Sequence, residues 1–131
     1  MSRAYLDACA IIYLLEGVRP VQQLVTAKLS QCHATALITA RLSRLECRVL
    51  PLKNNDTALL ATYDAFFSAV RMSIGELTPD VIERATEIRA TYGFKTPDAL
   101  HLASAIEEKA DVFITGDSKL AMCKEIRVEV V

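Results

Sequence analysis

The chain has 131 residues, with 15 basic and 16 acidic side chains and a formal net charge of −1. That length suits one domain spanning residues 1–131 and is short for two separate cores. An apolar fraction of 52% and a charged fraction of 24% exclude a disordered chain, and 4 Gly and 4 Pro exclude collagen-like and low-complexity designs. The balanced charge excludes a protein acting as one large basic surface, while leaving room for a local nucleic-acid site. No apolar run approaches the roughly 20 residues needed to cross a bilayer. The start, Met1 to Asp7, turns acidic before a signal-peptide core can form. The cysteines Cys9, Cys32, Cys47 and Cys123 contain no Cys-x-x-Cys pair. A zinc knuckle is excluded, and a disulfide framework is disfavoured. The expected location is cytoplasmic.

In chain order, Ala4–Leu6 is a short apolar strand candidate. A helix is predicted over Ala8–Glu16, with Gly17 stopping it. Pro20 suits the first turn of a second helix running to Ser30. Ala34–Thr39 is the next strand. Arg41–Leu50 carries Leu42, Leu45 and Val49, the i, i+3, i+7 stripe of a core-facing helix, and Pro51 is expected to end it. Asp56–Met72 is a long helical stretch, and Ile74–Leu77 a short strand. Thr78-Pro79-Asp80 opens a helix that Gly93 closes, and Thr96-Pro97-Asp98 repeats the start signal for a helix to about Lys109. Val112–Thr115 is a β-type run, Ser118–Lys124 a short helix, and Ile126–Val131 a final strand. Strands alternating with helices or helix pairs predict a parallel α/β sheet with helices on its faces. Ligands in such folds collect outside the carboxyl ends of the strands.

Four acids stand out against that frame. Asp7 directly follows the first strand, and Asp117 stands just beyond Thr115. Either one alone reads equally well as a helix N-cap. Glu46 shares the edge of the stripe formed by Leu42 and Val49, where a carboxylate is costly unless paired or coordinated. Pairing with Arg41, Arg44 or Arg48 on the same helix is the alternative, and the less favoured one. Asp98 lies in a helix first turn on the side of Leu102 and Ala105; alone, it merely complements the helix dipole. Converging, four unpaired carboxylates would raise one another's pKa, and a hard divalent cation would relieve them. Oxygen-only ligation suits Mg²⁺ or Mn²⁺ rather than zinc.

Tyr5-Leu6-Asp7, the Leu42–Glu46 helix, Pro97–Ala105 and Phe113–Asp117, in that order, resemble the four acidic motifs of PIN domains. The nearest likeness is to the small VapC-type toxins of bacterial and archaeal toxin–antitoxin pairs, over essentially the whole chain. The resemblance implies a three-layer α/β/α sandwich around a central, mostly parallel sheet of about five strands. It implies a metal-dependent endoribonuclease in which Asp7, Glu46, Asp98 and Asp117 are catalytic and hold one or two Mg²⁺ or Mn²⁺ ions. Thr115 would position a ligand carboxylate or water. The implied partners are an RNA substrate, a cognate antitoxin covering the acidic cleft, and a second copy forming a homodimer. Two positions depart from the family pattern: Cys9 replaces a small polar residue, and Lys119 replaces a further acid. The second metal position therefore stays open.

Other residues have plainer readings. Arg41, Arg44 and Arg48 follow helical spacing and are read first as a solvated helix face with some Arg–Glu pairing; the alternative is contact with an RNA backbone or an acidic antitoxin segment. Lys95 and Lys119 flank the acids. His101, three residues after Asp98, reads as a packed core histidine rather than acid–base machinery. Cys9 reads as a buried small residue. Helices Val21–Leu29 and Leu59–Val70 offer more apolar surface than a small monomer buries. Two other functions fit parts of the pattern: a catalytically silent PIN-like module binding RNA or protein, and a receiver-type Mg²⁺-binding signalling domain. The receiver reading lacks an acid pair at the first strand and an Asp after Ala34–Thr39.

Overall fold

The computed structural model describes residues 2–17 and 19–131. The chain runs β1 (Ser2–Leu6), α1 (Ala8–Glu16), α2 (Val21–Gln31), β2 (Ala34–Ala40), α3 (Arg41–Lys53) and α4 (Thr57–Phe67). It continues through β3 (Met72–Gly75), α5 (Pro79–Tyr92), α6 (Thr96–Glu107), β4 (Val112–Thr115), a 3-10 turn (Ser118–Met122) and β5 (Val128–Val130). The five strands form one sheet in the order β3-β2-β1-β4-β5, and every pairing is parallel. That order differs from the 2-1-3-4-5 order of receiver domains, which counts against the signalling reading.

Alternation along the central strands explains the layers. Tyr5 and Phe113 point to one face, into a core with Val81, Ala85 and Ile88 of α5 and Ala99, Leu102 and Ala105 of α6. Their neighbours Ala4, Leu6, Val112 and Ile114 point to the other, against Ile11 of α1, Val25 of α2 and Tyr63 and Phe67 of α4. The result is the expected α/β/α sandwich. Both central strands are buried on both faces, which is why they read as continuous apolar runs.

Several boundaries differ from the sequence expectation. Pro51 does not end α3; it lies buried inside it. The missing N–H costs one bond, but the amides of Asn54 and Asp56 still reach the carbonyls of Leu50 and Pro51, at 3.0 and 2.9 Å. The stretch read as one helix to Met72 stops at Phe67, because Met72 pairs with Leu37 as β3 begins. Sheet pairing outweighs helix propensity there. Helix α6 starts one residue early: Lys95 occupies the cap position, and Thr96 and Pro97 lie within the first turn. Pro20 stands at the cap of α2 rather than inside its first turn. The segment after Asp117 is a 3-10 turn, not an α-helix.

Helix α3 also presents a different face. Its buried residues are Ser43, Cys47 and Pro51, while Leu45 and Val49 are 62% and 60% exposed. Small residues allow the helix to lie close to the strand ends. Ser43 is satisfied through Thr39, whose hydroxyl bonds both Ser43 Oγ at 2.6 Å and the Leu6 carbonyl at 2.8 Å.

The cap at Gly93 generates a stability test. Gly93 ends α5 in the left-handed region at φ 75°, with open space where a Cβ would stand. Strain alone then sets the effect of a side chain. Gly93→Ala is expected to lower stability by about 1 kcal/mol, seen as a lower urea midpoint with an unchanged slope.

Candidate active site

Strands β1 and β4 lie side by side in register, Leu6 opposite Ile114. The chain leaves β1 toward β2 and leaves β4 toward β5, so a topological switch point opens at their carboxyl ends. Asp7 sits there, 5% exposed. Its Oδ1 accepts the Ala10 amide at 2.9 Å as the N-cap of α1, and its Oδ2 accepts the Thr115 hydroxyl at 2.5 Å. Thr115 Oγ in turn accepts the Asp117 amide at 3.0 Å. Asp117 caps the 3-10 turn by accepting the Lys119 amide at 3.0 Å. Both aspartates are therefore N-caps, as one of their two expected readings had it. Gly116 permits the turn between them: a Cβ there would lie 2.6 Å from the Tyr13 ring and 2.8 Å from Cys9 Sγ. Cys9 is half-buried against that turn rather than fully buried as expected.

Asp98 enters from the first turn of α6. Burial raises its pKa, and repulsion from Asp117 and then Glu46 adds to the rise, while His101 and Lys95 oppose it. Burial likewise pushes Asp7 up, against the hydrogen bonds from Thr115 and Ala10 that lower it, with Asp98 adding to the rise. Asp98 is thus electrostatically linked to each of the other three acids. Among the described residues its carboxylate accepts no hydrogen bond from the protein.

Glu46 has a partner that sequence reasoning missed. His101 Nε2 lies 2.6 Å from Glu46 Oε1, and His101 Nδ1 lies 2.7 Å from the Tyr5 hydroxyl. Tyr5 is wholly buried and stacks on Phe113 at 5.1 Å. With neutral imidazole, the assignment that satisfies both contacts has Tyr5 O–H donating to Nδ1 and Nε2–H donating to Glu46. His101 is therefore not a passive core residue, as its apolar surroundings implied; it fixes one oxygen of Glu46. Its place one helical turn after Asp98 was the available signal, but the link to α3 exists only in the fold. Nor does an arginine neutralise Glu46. Arg41 pairs with Glu76 at 2.6 Å, and Arg44 and Arg48 share Asp64 at 3.2 and 2.9 Å. These arginines line a groove of about 430 Å³ with Leu45, Val49 and Leu77, and none of the four acids is part of its lining.

The donor set is entirely carboxylate oxygen, mutually repelling and partly desolvated, which is the chemistry of a hard divalent cation site. Among the described residues, no three His, Cys, Asp or Glu side chains are close enough together to form a ready-made cage. The donor types fit Mg²⁺ or Mn²⁺.

A PIN domain family model matches residues 4–125, and the chain belongs to that family. Solved structures share the fold. VapBC2 from Rickettsia felis bound to a promoter DNA fragment aligns with a TM-score of 0.78 at 16% identity, covering 98% of each chain. VapC20 from Mycobacterium tuberculosis, a sarcin–ricin loop cleaving toxin, gives 0.74 at 14% identity, covering 95% of this chain and 98% of its own. A toxin–antitoxin complex from Klebsiella pneumoniae gives 0.72 at 21% identity, covering 94% of each. At such identities these likenesses speak to the fold. Comparison with curated proteins finds no significant match.

Two outcomes follow from the site's electrostatics. An acid whose folded pKa is raised binds more protons folded than unfolded, so its contribution to stability declines as pH rises from the ordinary carboxylate range through the raised value. Asp98→Asn in EDTA is expected to melt a few degrees higher than wild type near neutral pH, the gain shrinking toward pH 4. Tyr5→Phe is expected to cost about 1–2 kcal/mol and to broaden or shift the ¹⁵N signals of the His101 ring, read by histidine-labelled NMR.

Proposed function

We propose that this chain is a cytoplasmic, Mg²⁺- or Mn²⁺-dependent endoribonuclease and the toxin of a toxin–antitoxin pair. The observation that carries this is the placing of Asp7 and Asp117 at the switch point of a PIN fold, with His101 bringing Glu46 of α3 to α6, the helix that carries Asp98. Acids that repel one another and are partly withdrawn from water cost stability, and a cation site gives a reason to retain them. Asp7, Glu46, Asp98 and Asp117 would hold the metal. A divalent cation so held supplies charge neutralisation at the scissile phosphodiester and lowers the pKa of the attacking water.

The chain's own groups perform the positioning. Thr115 fixes Asp7 through Oδ2, and the helix cap fixes it through Oδ1. His101 fixes Glu46 through Oε1. Asp98 alone carries no such restraint from the protein, which leaves both its oxygens for ligation and for accepting a proton from water. Glu46 and Asp98 come from different helices, α3 and α6, which His101 joins.

The toxin reading also needs a protein partner. Leu45, Val49, Leu50 and Leu52 leave an apolar ridge on α3 exposed by more than half. Exposed apolar surface of this kind marks an interaction site. We assign it to protein contact, with the antitoxin or with a second copy in a homodimer. The two stretches first expected to carry spare apolar surface do so in part: Leu24 in α2 is 48% exposed and Val70, just beyond α4, is fully exposed, while Tyr63 and Phe67 of α4 are buried. Among the described residues no helix is long and apolar enough to cross a membrane.

One observation favours a second reading, a binding module without turnover: no three metal-binding side chains are preassembled among the described residues. Cleavage of total cellular RNA separates the two. Discrete products are expected with Mg²⁺ or Mn²⁺, none with EDTA, and a loss of about 100-fold or more in Asp98→Asn. RNA binding without metal-dependent products would favour the silent module.

A further inference from the structure

A cavity of about 270 Å³ opens beside Asp98 and Asp117. Two elements build it. One is the joint between α5 and α6, contributing Tyr92, Phe94 and Lys95; the other is the 3-10 turn, contributing Lys119 and Met122. Gly93 in the left-handed conformation turns the chain so that Tyr92 and Phe94 stack, with ring centres 5.2 Å apart and planes 17° apart. The Tyr92 hydroxyl is tied down twice: it donates to Glu125 at 2.8 Å and accepts the Lys124 amide at 3.0 Å. Phe94 is buried beneath it, so the Tyr92 ring is a rigid, partly exposed platform. Met122 is 57% exposed on the neighbouring turn.

The charges are ordered as well. The carboxylates of Asp98 and Asp117 would repel a polyanion. Lys95 and Lys119 stand exposed in the same cavity, and among the described residues neither forms an ion pair with an acid. The other surface cations near the site behave differently: Arg41, Arg44 and Arg48 are all consumed by Glu76 and Asp64. An aromatic platform and two ammonium groups that form no ion pair, in one small cavity beside the candidate catalytic acids, supply the stacking surface and positive charge used for single-stranded nucleic acid. Drug-sized ligands fill pockets of about 300–1,000 Å³, so this smaller space suits one planar base.

We propose that this cavity is a nucleotide subsite, which stacks one unpaired base of an RNA strand on Tyr92 and holds its phosphate with Lys95 and Lys119. The proposal rests on the ribonuclease reading and deepens it: the substrate must present an unstacked, single-stranded nucleotide next to the bond that is cut. Lys119 has a positive role here, at a position where the family pattern has an acid. A base-paired end, whose bases are stacked on each other, cannot enter.

Fluorescence anisotropy of a labelled, random-sequence single-stranded RNA 12-mer in EDTA tests this, followed by steady-state cleavage of the same RNA in Mg²⁺. Tyr92→Leu is expected to weaken binding about tenfold at every salt concentration and to act on KM more than on kcat, while Tyr92→Phe, keeping the ring, stays near wild type. Lys95→Ala and Lys119→Ala are each expected to weaken binding about threefold at low salt and to reduce the log–log salt slope by about 0.7. Lys53→Ala, on the far end of α3, serves as the unchanged control. If Tyr92→Leu does not fold, the two exposed lysines decide. Wild type that binds and cuts, with all three pocket variants within twofold of it, overturns the subsite alone. Wild type that neither binds nor cuts RNA overturns the ribonuclease reading and the subsite with it.

Discussion

The bond from Thr115 to Asp7 ties the ends of β1 and β4 together, at 2.5 Å between the hydroxyl and a buried carboxylate. Both strands are packed on both faces, so their ends cannot drift. Asp7 is held from the other side by the first turn of α1, and Thr115 passes the constraint to Asp117 through its amide. Two of the four acids are thus placed by backbone geometry and short polar contacts. A parallel sheet supplies this arrangement at its switch point because adjacent crossovers leave in opposite directions. The same bond carries a cost, since the carboxylate it fixes has been taken out of water.

The other two acids depend on helices, and each is placed by a different device. Asp98 comes from a first turn whose start is set by Lys95 and Pro97. Glu46 comes from α3, which approaches closely because Ser43 and Cys47 are small, and it is oriented by His101 with Tyr5 behind it. That relay joins β1, α6 and α3, so the site's geometry draws on most of the central structure. The PIN family's acidic signature is therefore supported by a layer of buried Tyr, His and Thr that is specific in its hydrogen bonding.

Much of this was legible in the sequence, for physical reasons that differ by residue. Short apolar runs with strand ends marked by Asp revealed β1 and β4, because strands buried on both faces have no alternation to disguise them. Thr78-Pro79 and Gly93 bounded α5 correctly, since caps act locally. Glu46 stands out beside an apolar stripe of which Leu42 packs on the core while Leu45 and Val49 face solvent; the helix is buried on its Ser43–Cys47–Pro51 side instead. His101 was passed over because its partners lie 55 and 96 residues away, beyond any local pattern. The end of α4 was missed for the same reason, as the competing interaction is pairing with β2. The arginine stripe was visible, but its neutralisation by Asp64 and Glu76 needed the packing of α3 against its neighbours.

The central claim is that Asp7, Glu46, Asp98 and Asp117 form one cation site. Thermal melting of the wild-type chain at neutral pH, titrated with Mn²⁺ after removal of all metal, tests it without reference to any substrate. A cation that neutralises these acids binds the folded state alone, so the melting temperature should go on rising with the logarithm of Mn²⁺ concentration above the dissociation constant, the stabilisation reaching about 2.7 kcal/mol at one hundred times that constant. Asp98→Asn should lose most of that rise. A wild-type melting temperature indifferent to Mn²⁺, or a rise that survives unchanged in Asp98→Asn, would contradict the claim.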